Sequence, residues 1–284
     1  MERHQLIDNL RRAGIRLRKS WSQNFLIDEK VFEEMVRQAE PAGRPIIELG
    51  AGSGELTERL AKKTARVLAV EKDRRLVAVL KERFSSSSVV EVIEANAARL
   101  DFAAWRQTFG EKPVVVGNLP YHMAAPILFR LLEQAAEIEH FLLMFQREMA
   151  ERILAPAGHP RRGVLGLMVE NRARVEKIMD IPPQAFFPSP QVHSTLLKFF
   201  PLNEPRLSGA AWQWFEKAVK SAFSGRRKTL RNSLRPLAGR QGGEKIARCL
   251  QSCGLPDNSR AQELSFEQFA RLAAALAETL EPGQ

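Results

Sequence analysis

Short apolar runs alternate with longer amphipathic stretches between residues 45 and 145, and this alternation restricts the fold more than any other feature. Strands buried on both faces of a sheet read as continuous apolar runs, and intervening helices make neighbouring strands parallel. The sequence therefore predicts an α/β fold with a doubly wound, Rossmann-like sheet. The predicted strands are Pro45–Leu49, Arg66–Glu71, Val89–Ala95, Pro113–Gly117, His140–Phe145 and a closing Ser194–Phe200, and the predicted helices are Glu55–Lys63, Arg74–Phe84 and Ala125–Ala135.

A proline-bounded segment, Pro201–Pro205, marks a domain boundary. Beyond it only helical periodicity is found. We therefore predict a Rossmann-like domain over residues 1–202, which begins with a basic arm, and a smaller helical domain over residues 206–284 that contacts RNA or the ribosome. The helices predicted in the second domain are Ala210–Phe223, Lys228–Leu234, Glu244–Cys253 and Phe266–Leu280.

The chain is strongly basic, with 43 Lys and Arg against 33 Asp and Glu and a net charge of +10. Such an excess favours a polyanionic partner, most often nucleic acid. Two cysteines exclude a disulfide framework and do not complete a zinc site, so no metal is predicted. The longest uncharged run, Pro113–Phe129, is short and interrupted by prolines, which excludes a bilayer span. We expect a cytoplasmic protein with no membrane contact.

Three glycines, Gly50, Gly52 and Gly54, follow the first predicted strand and allow a tight turn that a ligand can approach closely. Glu71 ends the next strand, where a carboxylate accepts hydrogen bonds from ribose hydroxyls. The spacing Gly-x-Gly-x-Gly differs from the dinucleotide pattern Gly-x-Gly-x-x-Gly. Glu48 beside the loop would repel a pyrophosphate but suits a cationic ligand. These features predict S-adenosylmethionine as the cofactor.

The tetrapeptide Asn118–Tyr121 follows the fourth strand, at the sheet edge where α/β proteins bind ligands. The Asn118 side-chain oxygen and the Leu119 carbonyl can accept the two hydrogens of an exocyclic adenine amine and aim its lone pair at a methyl group. Pro120 fixes the turn that presents the carbonyl, and Tyr121 can stack on the base. The tetrapeptide predicts methylation of an adenine amine.

Motifs along most of the chain resemble the KsgA/RsmA family of rRNA adenine dimethyltransferases. The family enzymes place two methyl groups on N6 of each of two adjacent adenines near the 3′ end of 16S rRNA. The resemblance implies a class I methyltransferase sheet, S-adenosylmethionine as methyl donor, the small ribosomal subunit or its precursor as partner, a role in subunit biogenesis, and a monomer. The motifs are Ser22–Leu26, Glu48–Gly52, Glu71, Gly117–Tyr121, Gln146–Glu148, Ala185–Pro190 and Ala222–Leu234.

The resemblance extends the predicted site. It implies that Phe186 sandwiches the target base opposite Tyr121, so that the catalytic group is Asn118, Leu119, Pro120, Tyr121 and Phe186. The cofactor-binding residues that it implies are Gln23, Asn24, Leu26, Gly50, Gly52, Glu71, Lys72, Asn96, Ala97 and Asn118. Basic clusters predict RNA contacts at Arg147, Arg152, Arg226, Arg227, Lys228 and Arg231.

The chain departs from the family pattern at several positions, and the departures leave Asn118, Tyr121, Glu71 and Phe186 untouched. Asn96 stands where the family usually has Asp, and we expect weaker or retuned cofactor binding there. The other departures are Ser22 for Gly, His122 for Asn, Arg162-Gly163 for Tyr-Gly, and His193 for Asp.

Three alternatives stay open at this stage. A resistance-type (Erm) dimethyltransferase would act on large-subunit rRNA, but Leu119 and the motif Ala222–Leu234 favour the small subunit. A DNA adenine methyltransferase would need a separate base-recognition domain, for which the chain has little room. An assembly factor would bind pre-ribosomal RNA and methylate little.

Overall fold

A computed structural model describes residues 24–41, 43–225, 227–239 and 242–280. The chain divides into two compact units, each with its own core. The first unit runs to Ala150 and resumes over Ala173–Asn203, and the second comprises Glu151–Arg172 and the chain from Glu204 onward. The basic arm predicted before residue 20 lies outside the described residues.

The described part of the first unit contains nine strands. Seven of them form one sheet in the order β4-β3-β2-β5-β6-β9-β7, and β1 pairs with β8 in a separate antiparallel ribbon. The large sheet is parallel except at β9, which runs antiparallel to both neighbours. The strands are β1 (Phe25–Leu26), β2 (Ile46–Leu49), β3 (Val67–Glu71), β4 (Val90–Glu94), β5 (Val114–Gly117), β6 (Phe141–Gln146), β7 (Ala173–Ile181), β8 (Phe186–Phe187) and β9 (Ser194–Pro201).

Helices separate the parallel strands and make up most of the second unit. Those before residue 140 are α1 (Glu29–Ala39), α2 (Glu55–Ala61), α3 (Arg74–Arg83), α4 (Phe102–Phe109) and α5 (Tyr121–Glu133). Those that follow are α6 (Arg147–Leu154), α7 (Val164–Glu170), α8 (Gly209–Ala222), α9 (Leu230–Leu234), α10 (Gly242–Ser252) and α11 (Phe266–Leu280). The predicted α/β sheet followed by C-terminal helices is confirmed.

The sequence pattern did not predict helices α1, α4 and α7 or the short strands β1 and β8. Two further differences concern β7 and α5. β7 was not predicted, because Arg174, Glu176 and Lys177 interrupt its apolar pattern; it is an edge strand whose residues are mostly exposed or half-buried. Helix α5 begins at Tyr121 rather than at residue 125. Pro126 lies inside the helix and has no amide hydrogen to donate to the carbonyl oxygen of His122, four residues earlier.

The grouping of Glu151–Arg172 differs from the predicted division, which placed this segment in the first domain. Leu167 and Met168 of α7 belong to the same apolar core as Phe215 and Phe269, and burying them there accounts for the grouping. A second division between the units falls between Asn203 and Glu204.

Arg162 stands where the resemblance implies Tyr. Its side chain is buried and joins three segments of the second unit through hydrogen bonds. Its guanidinium donates to the carbonyl oxygens of Ala155 at 2.8 Å and Leu264 at 2.9 Å, and to the Glu170 carboxylate at 2.7 Å. Only 2% of the Arg162 side chain is exposed. All three hydrogen-bond partners of Arg162 lie in the second unit. The arginine at residue 162 therefore contributes to the packing of that unit.

In the part of the chain that the structure describes, no helix is both long enough and apolar enough to cross a membrane. Within the same residues, no group of three or more His, Cys, Asp or Glu side chains is placed to hold a metal ion.

The glycine that starts α2 gives a test of local packing. Gly54 has φ +85°, and a Cβ atom there would lie 2.8 Å from the Phe84 ring and 2.9 Å from Leu80. Gly110 has φ +80° but open space around the corresponding position. We expect Gly110→Ala to cost about 1–2 kcal/mol through backbone strain alone. Gly54→Ala should cost a further ~1–3 kcal/mol through overpacking. Urea unfolding of both variants measures the difference, and equal losses would contradict the packing account.

Candidate functional site

Most of the predicted site residues line one pocket in the first unit, at the carboxyl ends of β2, β3 and β5. Gln23 lies outside the described residues. Phe25, Met123 and Ile127 add apolar walls that sequence reasoning missed. The predicted residues in the pocket are Asn24, Leu26, Gly50, Gly52, Glu71, Lys72, Asn96, Ala97, Asn118, Leu119, Pro120 and Tyr121.

The glycine loop and the tetrapeptide loop lie side by side because their strands are in register. Leu49 of β2 pairs with Gly117 of β5, so Gly50 and Asn118 leave adjacent strands together. A Cβ atom on Gly117 would come within 3.2 Å of the Leu49 carbonyl oxygen and of two leucine side chains. Only glycine fits at residue 117 without a shift. The loops are thereby held close enough to share one ligand.

Positive φ angles of 71° at Gly50 and 59° at Gly52 turn the loop over the sheet edge. The Gly50 and Ala51 amides donate to the carbonyl of Val70 on β3, at 2.8 Å and 3.2 Å. A Cβ atom on Gly52 would touch the Phe25 ring at 3.4 Å. The loop is therefore a fixed turn whose shape depends on glycine.

Glu71, predicted to bind the ribose, ends β3 and lines the pocket. Its carboxylate accepts backbone amides from Gly52 at 3.0 Å, Lys72 at 2.7 Å and Asp73 at 2.9 Å. A carboxylate offers about four acceptor positions. Glu71 thus ties the glycine loop to β3 and keeps acceptor capacity for a ligand hydroxyl.

Arg83, at the end of α3, supports the glycine loop from outside the pocket. Its guanidinium donates to the Ser53 carbonyl oxygen at 2.7 Å and pairs with Glu55 at 2.6 Å and with Glu58. Sequence reasoning missed this residue, because the contact joins positions 30 apart and an arginine in a helix reads as a solvated side chain.

Glu48 is a buried acid in the wall of the same pocket. Its carboxyl group accepts a hydrogen bond from the hydroxyl of Thr57, which is also buried. Burial, together with the nearby charge of Glu71, raises the pKa of Glu48 to about 8. A cation in the pocket would favour the ionised form of this group.

Asn118 is oriented by the backbone. Its side-chain nitrogen donates to the Asn24 carbonyl oxygen at 3.4 Å. A carbonyl oxygen only accepts, so the amide must present its NH₂ group to Asn24 and is left with Oδ1 as a free acceptor. Asn118 therefore offers an acceptor at the pocket wall, as predicted from the chemistry of an adenine amine.

Tyr121 begins α5 and lines the pocket. Its hydroxyl lies 2.9 Å from the hydroxyl of Ser194, which is fully buried at the start of β9. Burial raises the pKa of Tyr121, so the phenol stays neutral. The bond anchors the far end of the ring, and Ser194 is another residue that sequence reasoning missed.

Asn96 lines the pocket and caps the 3₁₀ turn Ala97–Arg99. Its Oδ1 accepts the Ala98 amide at 3.1 Å. The second polar atom of the side chain is consequently an NH₂ group, where an aspartate would present an oxygen.

Phe186 lies elsewhere than the resemblance implied. It is 2% exposed, pairs with Leu26 across β1 and β8, and belongs to the core that contains Phe32 and Met35. It does not line the pocket, because the β1–β8 ribbon turns its side chain into that core. In this structure Phe186 holds β1 beside the site rather than facing Tyr121.

The predicted RNA contacts are divided between the units. Arg147 lies in the first unit and is exposed. In the second unit Arg152, Arg227 and Lys228 are exposed, whereas Arg231 is half-buried and pairs with Asp257 at 2.9 Å. Arg226 lies outside the described residues.

Comparison with known proteins agrees with this geometry. The model of the family described as ribosomal RNA adenine dimethylase matches residues 14–278. The chain belongs to this family. A relative from Anaeromyxobacter dehalogenans (strain 2CP-C), named ribosomal RNA small subunit methyltransferase A, is 38% identical over 282 residues, which cover 94% of this chain and 96% of the relative.

Two solved structures resemble this dimethylase. The crystal structure of the 23S rRNA methyltransferase ErmE covers 89% of this chain and 99% of its own, with a TM-score of 0.69 and 26% identity. A dimethyladenosine transferase from Plasmodium falciparum covers 87% and 95%, with a TM-score of 0.74 and 22% identity. The second likeness is one of fold alone.

The pocket suits S-adenosylmethionine, the methyl donor of the family. The fixed glycine turn admits close approach of a ligand, Glu71 retains an acceptor for a hydroxyl, and the buried acid Glu48 favours a cation over a pyrophosphate. Apolar side chains of Phe25, Leu26 and Leu56 supply the remaining wall.

The hydrogen bond between Tyr121 and Ser194 predicts that substitutions at these two residues have non-additive effects on turnover. Tyr121→Phe and Ser194→Ala each remove the same hydrogen bond, worth about 0.5–1.5 kcal/mol. We expect each variant to lower turnover about two- to tenfold without changing the Kd for S-adenosylmethionine. The Tyr121 hydroxyl also bonds to Asn24, so the double variant should lose no more than Tyr121→Phe alone, and additive losses would separate the two residues. Thr195→Val is the matched control, because it removes a buried hydroxyl that bonds to Asp180 instead.

The raised pKa of Glu48 predicts proton release on binding of the cofactor. Near pH 7 the group is mostly protonated, and a bound cation favours the carboxylate, so its pKa falls and the proton leaves. S-adenosylmethionine carries a sulfonium charge that S-adenosylhomocysteine lacks. Calorimetry in buffers of different ionisation enthalpy should show more protons released with the first ligand than with the second. Glu48→Gln should abolish the difference, and a difference that persists in this variant would assign the proton to another group.

Proposed function

We propose that this chain transfers methyl groups from S-adenosylmethionine to N6 of two adjacent adenines near the 3′ end of 16S rRNA, in the small ribosomal subunit or its precursor. The observation that carries the proposal is the adjacency of the glycine loop and Asn118–Tyr121 at neighbouring strand ends. The small subunit as substrate is supported by the name of the relative that is 38% identical.

The chain's own groups prepare the adenine amine for attack. Its nitrogen lone pair is delocalised into the ring, so the amine is a weak nucleophile. The Asn118 Oδ1 and the Leu119 carbonyl accept its two hydrogens, which favours a pyramidal nitrogen with the lone pair directed away from the ring. S-adenosylmethionine supplies an electrophilic methyl group on its sulfonium. No strong base is required, because the nitrogen becomes acidic once it carries the new methyl group.

The target adenine has to leave its stack to reach the pocket. Tyr121 gives it a new stacking surface, and the bond to Ser194 holds that ring in place. Phe186 contributes indirectly in this proposal: it secures β1, from which the neighbouring Asn24 carbonyl fixes Asn118. The enzyme acts as a monomer, and its ribosomal substrate places it in the cytoplasm.

Methylation of isolated subunits tests the proposal. Purified protein is incubated with labelled S-adenosylmethionine and undermethylated small or large subunits, and the labelled nucleosides are identified by mass. We expect N6-dimethyladenosine in 16S rRNA alone. Label in the large subunit would instead support an activity like that in the name of ErmE. Tight binding to small subunits with no label would favour an assembly factor.

Asn96 predicts a gain of cofactor affinity by substitution. Asn96→Asp keeps the oxygen that caps Ala98 and replaces the NH₂ group by a second acceptor for the amino group of the cofactor's adenine. We expect the Kd for S-adenosylmethionine to fall about three- to tenfold, as one added hydrogen bond of about 1 kcal/mol implies. Equilibrium dialysis measures it. Asp101→Asn, the opposite change at a cap outside the pocket, should leave the Kd unchanged. A higher Kd for Asn96→Asp would show that the NH₂ group is itself used.

A further inference from the structure

A second concave surface lies wholly within the helical unit, where the 3₁₀ turn Arg235–Ala238 and helix α9 face helix α10. We call this surface the α9–α10 groove. Four of its lining side chains are cationic and two are anionic. The cations are Arg231, Arg235, Lys245 and Arg248, and the anions are Glu244 and Asp257.

Close packing brings the cations together from two elements. A Cβ atom on Gly242, at the start of α10, would lie 2.8 Å from the Arg235 carbonyl oxygen and 2.9 Å from Ala238. The turn and the helix are thus in backbone contact, which only glycine allows. Lys245 and Arg248 follow at i and i+3 and share one face of α10. Positive charge therefore lies on both sides of the groove.

The groove lining carries a net charge of +2, because its four cations exceed its two anions. Arg231 pairs with Asp257 at 2.9 Å, whereas Arg235, Lys245 and Arg248 make no ion pair with any residue that the structure describes. Arg235 and Arg248 are exposed, and Lys245 is half-buried. A concave surface with three unpaired cations attracts a multiply charged anion.

The neutral lining indicates which anion fits. Thr229, Asn232 and Asn258 place a hydroxyl and two amides among the cations. Phosphate oxygens of nucleic acids are contacted by this mixture of Arg, Lys, Thr and Asn side chains. The first lining residue of the groove, Thr229, comes directly after Arg227 and Lys228 in the sequence. Both of these residues are exposed cations that the sequence predicts to contact RNA.

We propose that the α9–α10 groove binds the phosphate backbone of rRNA, as a contact separate from the pocket that receives the adenine. The inference rests on the proposed function in one respect, that the substrate is rRNA. It adds Arg235, Lys245 and Arg248 to the RNA-contacting residues, and the contact is independent of base sequence.

A pair of charge-matched double variants tests the groove. Lys245→Glu with Arg248→Glu reverses two groove cations. Lys217→Glu with Arg271→Glu makes the same change of net charge on exposed residues of α8 and α11 that do not line the groove. The Kd of each protein is measured over a series of salt concentrations, with undermethylated small subunits and separately with protein-free 16S rRNA. Because the substitutions lie in the helical unit, the circular dichroism spectra and urea unfolding curves of both variants are compared with those of the wild-type protein, and matching curves show that this unit folds.

We expect the groove variant to bind both probes more weakly than the control. The negative slope of the logarithm of the association constant against the logarithm of the salt concentration should become shallower by about 2, one for each lost phosphate contact. Weakening with the small subunit alone would overturn the proposal in favour of an acidic protein surface, and behaviour equal to the control would overturn it altogether. Transfer of the labelled methyl group to rRNA by the wild-type protein is measured in a separate experiment. A chain that binds rRNA through the groove but methylates nothing would contradict the proposed function and leave the groove assignment standing.

Discussion

The register of β2 against β5 is the constraint on which the site depends. It places Leu49 opposite Gly117, and the two chains leave the sheet as neighbouring loops. One loop is shaped by glycines and tied to β3 through Val70 and Glu71; the other presents Asn118 and begins a helix at Tyr121. Because a side chain at residue 117 would strike the Leu49 carbonyl, the loops can lie this close only with glycine there. The glycine loop and Asn118–Tyr121 therefore line the same pocket.

Two acids in that pocket are used differently because their surroundings differ. Glu71 accepts three backbone amides and so joins the glycine loop to β3. Glu48 is buried with a single hydroxyl partner, and its pKa is raised to about 8. The first acid organises the binding surface, whereas the second responds to the charge of what is bound there. S-adenosylhomocysteine lacks the sulfonium charge, so we expect the protonation of Glu48 to differ between the protein bound to the methyl donor and the protein bound to the product.

Much of the fold and the pocket could be predicted from local sequence. Buried strands such as Val114–Gly117 are continuous apolar runs, and the glycine loop, Glu71 and Asn118 all lie where parallel strands end. The unpredicted parts depend on contacts between distant positions: Ser194 meets Tyr121 across 73 residues, and Arg83 meets Ser53 across 30. The motif around Phe186 implied an aromatic ring that faces Tyr121 across the target base, but the pairing of β1 with β8 buries this ring in the core. Strand β7 was missed because its charged residues lie at a sheet edge.

Substitution of Asn118 shows whether this side chain acts mainly on the amine, because Asn118 also lines the cofactor pocket and the two roles affect different measurements. Methyl transfer by Asn118→Ala should be measured in a single turnover, alongside the Kd for S-adenosylmethionine. Removing a positioned acceptor is expected to slow transfer about 100-fold or more, and the Kd should change by less than about threefold. A transfer rate close to that of the wild-type protein, or a loss of rate matched by an equal loss of cofactor affinity, would contradict the account.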